Sequence, residues 1–520
     1  MTVAKPSLYN GRTIVLATLL AILAFTQEGV AQEGILDEPV TIRLNNARIS
    51  AILKQITRKT GYYFTYDADL INTDSVISLN TQNLNLREIL DTILQNDIFR
   101  YTPIGNHIVI YRDPDITSDM IREEGRKPVY QISGLVSDKE SGEPLPYATL
   151  GIYKKGKGTV SNAAGRFSFK VTYEDLTDSL RISHIGFRNM IIPVRALIGT
   201  NYLIELERDY IPIPEIIIRT RDPVDLIRNI IENIPENYGT SPAMLTAFYR
   251  ESVTRKSKLQ EYSEAVINIF KSSYSNPGQR DQVKLFKSRK MLNIDTRDTL
   301  LVKLRAGLDA SLTLDGAKNP FDFIREESLQ DYDFRITDIV SLDDEAAYVV
   351  EFSQKEHITE EALYEGYIYI NTTNYGMYSA EFRINPDYIH KLDNRFVPHT
   401  SRGYVVKARS VKYRTDYRYI NGRYYLNHVR GDLEFAARKK RTLFSTQYNI
   451  FFELATTNID TTSVSRFNRN EQISTTSVFS ETIRGYDPEF WGTDNFIAPE
   501  EDIREAINRI NARLSRFELE

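Results

Sequence analysis

Three patterns of apolar and polar positions follow one another along the chain. Between residues 32 and 113, short alternating runs enclose two helical stripes. Val40-Thr41-Ile42-Arg43-Leu44 alternates as a half-buried strand does, and from Ser50 the residues Ile52, Leu53 and Ile56 recur at helical spacing until Gly61. Tyr62–Tyr66 and Val76–Leu79 read as further strands. Asn85 with Glu88 has the form of a capping box, opening a helix striped by Leu86, Ile89, Leu90, Ile93 and Leu94. Phe99–Tyr101, a Gly105-Asn106 turn and His107–Tyr111 close the region as a hairpin. These apolar residues are assigned to the core and none to a site.

Residues 114–127 are charged and read as a linker. Strands then recur at roughly 8–12-residue spacing over 128–218: Tyr130–Val136, Ala148–Tyr153, Arg166–Val171, Leu180–Ser183, Phe187–Val194 and Tyr202–Leu206. That rhythm predicts a small β-sandwich. Ile213–Ile218 reads as a trailing strand. The third pattern covers 222–520. Asp222-Pro223 caps and starts a helix striped by Leu226, Ile227, Ile230, Ile231 and Ile234. Phe248–Glu251 and Glu264–Phe270 read as strands, 290–335 as charged loop with a short helix, and the chain from Tyr348 as almost continuous β. An Asn-Tyr-Gly turn joins Tyr364–Ile370 to Met377–Phe382. Val411–Tyr419 sets Tyr413, Tyr417 and Tyr419 on one face, and Asn421-Gly422 predicts a two-residue hairpin. Leu433–Phe435 and Tyr448–Leu454 extend the sheet. Pro499–Leu514 reads as a helix with Ile503, Ile507, Ile510 and Leu514 on one stripe.

Composition narrows the function. The 520 residues carry 65 Lys+Arg against 70 Asp+Glu, a formal net charge of −5, so no basic excess drives nucleic-acid binding. The absence of cysteine excludes a disulfide framework, thiolate metal sites and a cysteine nucleophile. With 32 Tyr and 24 Phe the apolar material suits sheets. Residues 1–31 read as a signal peptide: Lys5 and Arg12, the apolar run Thr13–Phe25, and Gly29-Val30-Ala31 before a cut between Ala31 and Gln32. The run is short for a spanning helix.

Wording adds resemblances. The order of strands and helices over 32–113, ending in RYTPIGNHIVIYR, resembles the secretin and TonB short N-terminal domain, which implies periplasmic docking of protein partners. Ile132-Ser133-Gly134, Gly142–Ala148, Gly158–Asn162, Gly165–Ser168 and Ser183–Phe187 resemble the carboxypeptidase regulatory-like domain, a non-catalytic accessory. Ile213–Ile218 looks like the strand that follows this domain in TonB-dependent transporters, although the remaining residues are too few for a plug and barrel. Ile234–Tyr238 with Phe248–Glu251, and Phe490–Asn495, resemble exported Bacteroidota proteins of the same domain order. Tyr364–Phe382 more weakly resembles the curved sheet of outer-membrane lipoprotein-sorting carriers, which shelter acyl chains. The expected architecture is therefore multi-domain and β-rich α+β: a small α+β domain, a β-sandwich and a curved C-terminal antiparallel sheet with flanking helices. A small membrane barrel is the alternative for the last part. Lys407, Arg409, Lys412, Arg414, Arg418 and Arg423 fall on both faces of its would-be strands, which opposes that reading.

Chemistry is sparse. The histidines are His107, His184, His357, His390, His399 and His428, without an HExxH pair. His357–Glu360 gives HxxE, half of a metallocarboxypeptidase ligand set, but reads as an inter-strand loop. Gly151–Lys157 has the spacing GxxxxGK, yet Gly158 stands where Ser or Thr would hold magnesium and a strand should follow, so a hairpin with solvated lysines is expected. No GxSxG elbow occurs. Asp343–Glu345 and Glu500–Asp502 read as solvated charges, and Arg438–Arg441 as an edge-strand guard. No catalytic, cofactor or metal residue is nominated. The expectation is a non-enzymatic periplasmic protein, associated with the outer membrane, that binds a TonB-like protein, an anti-sigma regulator or a receptor. A lipid carrier is one alternative and an unrecognised hydrolase another.

Overall fold

The computed structural model describes residues 36–37, 39–66, 71, 75–94, 99–104, 107–112, 129–211, 221–292, 307–392, 404–442, 444–483, 495–501 and 503–505. The Ala31–Gln32 cut, the linker, the Gly105-Asn106 turn, the Ile213–Ile218 strand, His399, Phe490–Asp494 and the helix beyond Glu505 lie outside them. The chain divides into two compact units: residues up to Arg126 with Val194–Tyr202, and Lys127–Pro193 with Leu203–Glu520. No described helix is long and apolar enough to cross a membrane.

In the first unit, β1 (Pro39–Arg48) pairs antiparallel with β3 (Val76–Asn85), while β5 (His107–Arg112) lies between β2 (Tyr63–Tyr66) and β4 (Phe99–Ile104). Helix α1 (Ile49–Thr60) buries Ile52, Leu53 and Ile56, and stops at Gly61 with φ +78°. Helix α2 (Leu86–Leu94) opens on the expected capping box. The Asn85 amide donates to Glu88 and the Glu88 amide donates to Asn85, at 2.9 and 2.8 Å.

The second unit begins with the sandwich strands β6 (Val129–Asp138), β7 (Thr149–Ile152), β8 (Gly158–Val160), β9 (Arg166–Thr172), β10 (Ser179–Ser183), β11 (Met190–Pro193) and β12 (Gly199–Leu206), the last belonging to this unit from Leu203 onward. One sheet runs β11-β10-β7-β8 and the other β12-β6-β9. Strand β8 is the strand expected after the Gly151–Lys157 hairpin, although its three residues are too short to show a period of their own.

Helix α3 (Pro223–Glu232), capped by Asp222, and the turn α4 (Ile234–Asn237) lead into the main sheet. Its strands are β13 (Ala243–Arg255), β14 (Lys258–Lys271), β15 (Gln282–Leu292), β16 (Tyr332–Leu342), β17 (Glu345–Gln354), β18 (Tyr364–Asn371), β19 (Met377–Ile384), β20 (Tyr404–Ile420), β21 (Arg423–Lys439) and β22 (Thr446–Asp460). They form one antiparallel sheet in the order β15-β14-β13-β22-β21-β20-β19-β18-β17-β16. The expected architecture of sandwich and large antiparallel sheet is thus present. The β region begins at Tyr332, earlier than the apolar pattern indicated. Strands β15 and β16 are the two sheet edges, and their charges are what hid them.

Alternation gives the sheet two different faces. Leu245, Ala247 and Tyr249 of β13 and Ile450, Phe452 and Leu454 of β22 belong to one apolar core, with Leu226 and Ile230 of α3 and Leu308 and Leu312 of α5 (Gly307–Thr313). Phe321 and Phe323 fill this face, Phe323 stacking on Phe352 with ring centroids 4.1 Å apart. Lys271 and Lys318 pair with Asp281 at 2.7 and 2.6 Å, and the Tyr417 hydroxyl donates to Asp315 at 2.9 Å, tying the charged middle segment to the sheet. Tyr413 and Tyr417 join this core, whereas Tyr419 at the hairpin end is 44% exposed.

The Asn421-Gly422 turn forms as expected, with φ +50° and +83°. The Arg438–Arg441 run lies at the β21–β22 connection, between two central strands, so it does not guard an edge. Replacing Gly422 by Ala places a Cβ in a left-handed conformation and should destabilise the second unit by about 1 kcal/mol in denaturant unfolding.

Candidate functional site

The second face of the sheet carries charge. Following the register from one edge to the other, one residue per strand stands in a single row: Arg335, Glu351, Tyr367, Glu381, Arg414, Arg430, Glu453, Arg250, Glu264 and Arg289. Directly opposed side chains interact across strands, and here six of the nine steps join opposite charges, with Tyr367 standing between Glu351 and Glu381. Arg335 meets Glu351 at 2.5 Å, the Tyr367 hydroxyl donates to Glu351 at 3.2 Å, and Arg414 pairs with Glu381. Arg430 stands 3.5 Å and Arg250 2.5 Å from Glu453, and Arg289 pairs with Glu264.

One step sets like charges side by side, since Arg414 and Arg430 are direct neighbours. Flanking carboxylates answer this: Asp416 lies 2.8 Å from Arg414, while Asp432 and Glu500 lie 2.9 and 3.0 Å from Arg430. The sandwich supplies the rest. Tyr147, inside the Gly142–Ala148 motif, places its ring 5.3 and 5.8 Å from the two guanidiniums and stacks on His428 at 5.0 Å. Its φ of +61° is a strained conformation for an aromatic residue. The Ser161 hydroxyl donates to the Leu145 carbonyl and accepts from the Ala148 amide, fixing the loop on both sides of Tyr147.

His428 is fully buried beneath Tyr147, with Nδ1 3.0 Å from Asp416 and Nε2 2.9 Å from Glu453. A carboxylate only accepts, so both ring nitrogens donate and the ring is an imidazolium. Burial alone would lower its pKa; the hydrogen bonds and charges of Asp416 and Glu453 outweigh this and raise it above 6.5. Burial acts to raise the pKa of Asp416 and Glu453, but their cationic neighbours outweigh it and hold both carboxylates below their ordinary range. His184, half-buried, has the opposite fate: loss of hydration and the Arg414 charge push it down to about 4, leaving a neutral ring.

Several charges expected to be solvated are fastened instead. Asp343 and Asp344 both lie 3.2 Å from Arg181 of the sandwich, and Glu500 pairs with Arg250 and Arg430. Lys155 and Lys157 of the GxxxxGK hairpin each meet Asp178 or Asp175 at 2.5 Å. For Glu500 the reason is that the sandwich and the 495–505 segment cover this face, so its charges need partners; Lys155 and Asp344, by contrast, stay more than half exposed, as expected of solvated charges. The hairpin reading of Gly151–Gly158 holds, with β8 following it. His357 and Glu360 sit exposed in the loop between β17 and β18. Composition concealed the ladder because each charge, read alone, looks like surface.

Where the sandwich leaves the row uncovered, a groove of about 540 Å³ remains. Its lining includes Tyr147, Tyr367, Glu351, Glu365, Glu381 and Asp432, with Arg383, Lys412, Arg414 and Arg430. Each of these carboxylates is held by an arginine: Glu351 by Arg335, Glu365 by Arg383, Glu381 by Arg414 and Asp432 by Arg430. The arrangement can bind a polar ligand of mixed charge without rearranging.

The fold and site define a regulatory-type β-sandwich seated on the charged face of an open ten-stranded sheet. Comparison with known proteins agrees for the sandwich: residues 132–218 match the CarboxypepD_reg-like domain family. No curated protein matches the chain. Among solved structures it is similar to a DUF1329 family protein from Desulfovibrio piger, with 14% identity over 47% of this chain and 96% of that one and a TM-score of 0.20. A LolA superfamily protein from Nitrosomonas europaea shows 13% identity over 47% and 96%, with a TM-score of 0.16. An outer membrane lipoprotein-sorting protein domain from Vibrio parahaemolyticus shows 11% over 48% and 94%, with a TM-score of 0.17. Similarity at that level carries no inference about a ligand.

Two outcomes test the ladder. Glu453→Gln removes the fully buried carboxylate shared by Arg250, Arg430 and His428, leaving them only the less buried Glu500, Asp416 and Asp432, and should cost about 3–5 kcal/mol in urea unfolding. The pH dependence follows from the shifts. The raised His428 pKa contributes stability that is complete below 6.5 and lost as pH rises through its folded value. The depressed Asp416 and Glu453 pKa values contribute stability that is present above 3.8 and 4.5, respectively, and lost as pH falls through their folded values. Glu251, which burial raises to about 7, also loses stability with rising pH, but over 4.5 to 7. His428→Gln should therefore flatten the alkaline limb of a melting-temperature profile while leaving the Glu251 contribution in place.

Proposed function

We propose that the chain is a non-catalytic, exported protein of the cell envelope that works by holding a polypeptide partner in the groove beside Tyr147. One observation supports this most directly: the groove is open and mixed in charge, and every carboxylate lining it is paired with an arginine of the same sheet. Such a surface offers shape and charge complementarity with little reorganisation, which is what recognition needs.

The resemblances in the sequence refine the proposal. Residues 32–113 would act as a periplasmic docking arm for a TonB-like protein, an anti-sigma regulator or an outer-membrane receptor, engaged by added strands and helix faces. A carrier of apolar ligands would have to displace Phe321 and Phe323 from the other face, where they are packed into the core.

The test is site-specific photocrosslinking in intact cells of the source. A crosslinker replacing Tyr367, on the groove wall, should label one dominant envelope protein. The same group replacing Phe444, which is 88% exposed and away from the groove lining, should not. Equal labelling from both positions would refute a specific groove. Turnover of any substrate by the purified chain, lost on chelation or on changing one polar residue, would refute the non-catalytic reading.

A further inference from the structure

A second cavity lies where the β7–β8 hairpin of the sandwich meets the end of β20. It has a volume of about 400 Å³, and its lining includes Lys154, Lys155, Arg181, Arg418, Ser183 and Asp343. Four cations thus face one carboxylate. Lys155 and Arg181 are already engaged, by Asp178 and by Asp343 with Asp344. Arg418 and Lys154 have no carboxylate within ion-pair distance among the described residues.

Arg418 is the unusual group. It is only 7% exposed, and its Nη2 donates to the Gly156 carbonyl at 2.9 Å, yet Nε and Nη1 have no hydrogen-bond acceptor among the described residues. Buried charges are ordinarily paired. The hairpin is also shaped around this side chain. A Cβ on Gly158 would collide with Arg418 Nη1, and one on Gly151 would lie 3.5 Å from it. Gly151 opens the GxxxxGK spacing and Gly158 directly follows it, and the missing side chain at Gly158 is what admits a guanidinium from the sheet. Burial pulls the Arg418 pKa down to about 10, opposed only by Asp343, which matches a cation short of counter-charge.

We propose that this cavity is an oxyanion site that takes a phosphate ester, with the buried Arg418 as its anchor and the exposed Lys154 at its mouth. A phosphate presents several charged acceptor oxygens to converging donors, and the volume leaves room for the organic group that carries it. The phosphate could arrive on a soluble ester or on a lipid headgroup, and the chemistry of the site is common to both.

Calorimetric titration of the full chain with glycerol 3-phosphate, and flotation with phosphatidylglycerol against phosphatidylcholine vesicles, separate the sources. Saturable binding of glycerol 3-phosphate, selective binding to phosphatidylglycerol, or both would support the site. Arg418→Met should weaken whichever binding is seen by about tenfold or more, and Lys154→Ala by about threefold, on the scale of one charge-assisted hydrogen bond. If Arg418→Met does not fold, Lys154→Ala decides, because its side chain is exposed. Failure of the wild-type chain to bind either probe, or binding that Lys154→Ala leaves unchanged, would overturn the proposal.

Discussion

Ion pairing in a row that crosses the whole main sheet is the constraint on which the second unit depends. Half of the row is out of water: Arg250 and Glu453 have no exposed side-chain surface, and Arg289, Glu264 and Arg430 have little. A charge in that position is tolerated only while its neighbours neutralise it and complete its hydrogen bonds. The register of these antiparallel strands is therefore specified twice, by the apolar set on one face and by the charge order on the other.

The same constraint explains how the sandwich is seated. Two adjacent arginines would repel one another, and the site is relieved by Asp416, Asp432 and Glu500 together with the Tyr147 ring laid against both guanidiniums and His428. Tyr147 holds a strained backbone conformation to do so. Around it, Val160 of the sandwich packs with Phe248, Ala455 and Ile497, and the Gly186 amide donates to the Ser341 carbonyl at 2.7 Å. Recognition through the groove would then act on a surface already held in place, with the paired carboxylates setting the pattern of charge.

Much of the fold was legible along the chain. The helices from Ile49 and Pro223, the Asn85–Glu88 box, the hairpin at Asn421-Gly422 and the sandwich strands are local features, written in spacings of a few residues. The site was not legible in the same way. Arg250, Glu381, Arg414, Arg430 and Glu453 are scattered over some two hundred positions, on strands whose pairing no local spacing reveals. The one available clue was an Arg or Glu at an interior position of an otherwise apolar strand, as in Phe248-Tyr249-Arg250-Glu251. The edge strands β15 and β16 escaped for the related reason that charge on an edge looks like charge in a loop.

What the sequence alone determined was local: periodicity, turns, caps and the motif wording that the CarboxypepD_reg-like family match at 132–218 then supported. Those properties depend on residues within one element. Which charges are buried, which histidine carries a proton, and where a guanidinium is left without an acceptor were decided by tertiary structure alone. Each depends on dielectric surroundings and on the distance between groups far apart in the chain, and only strand register and the seating of one domain on the other set these.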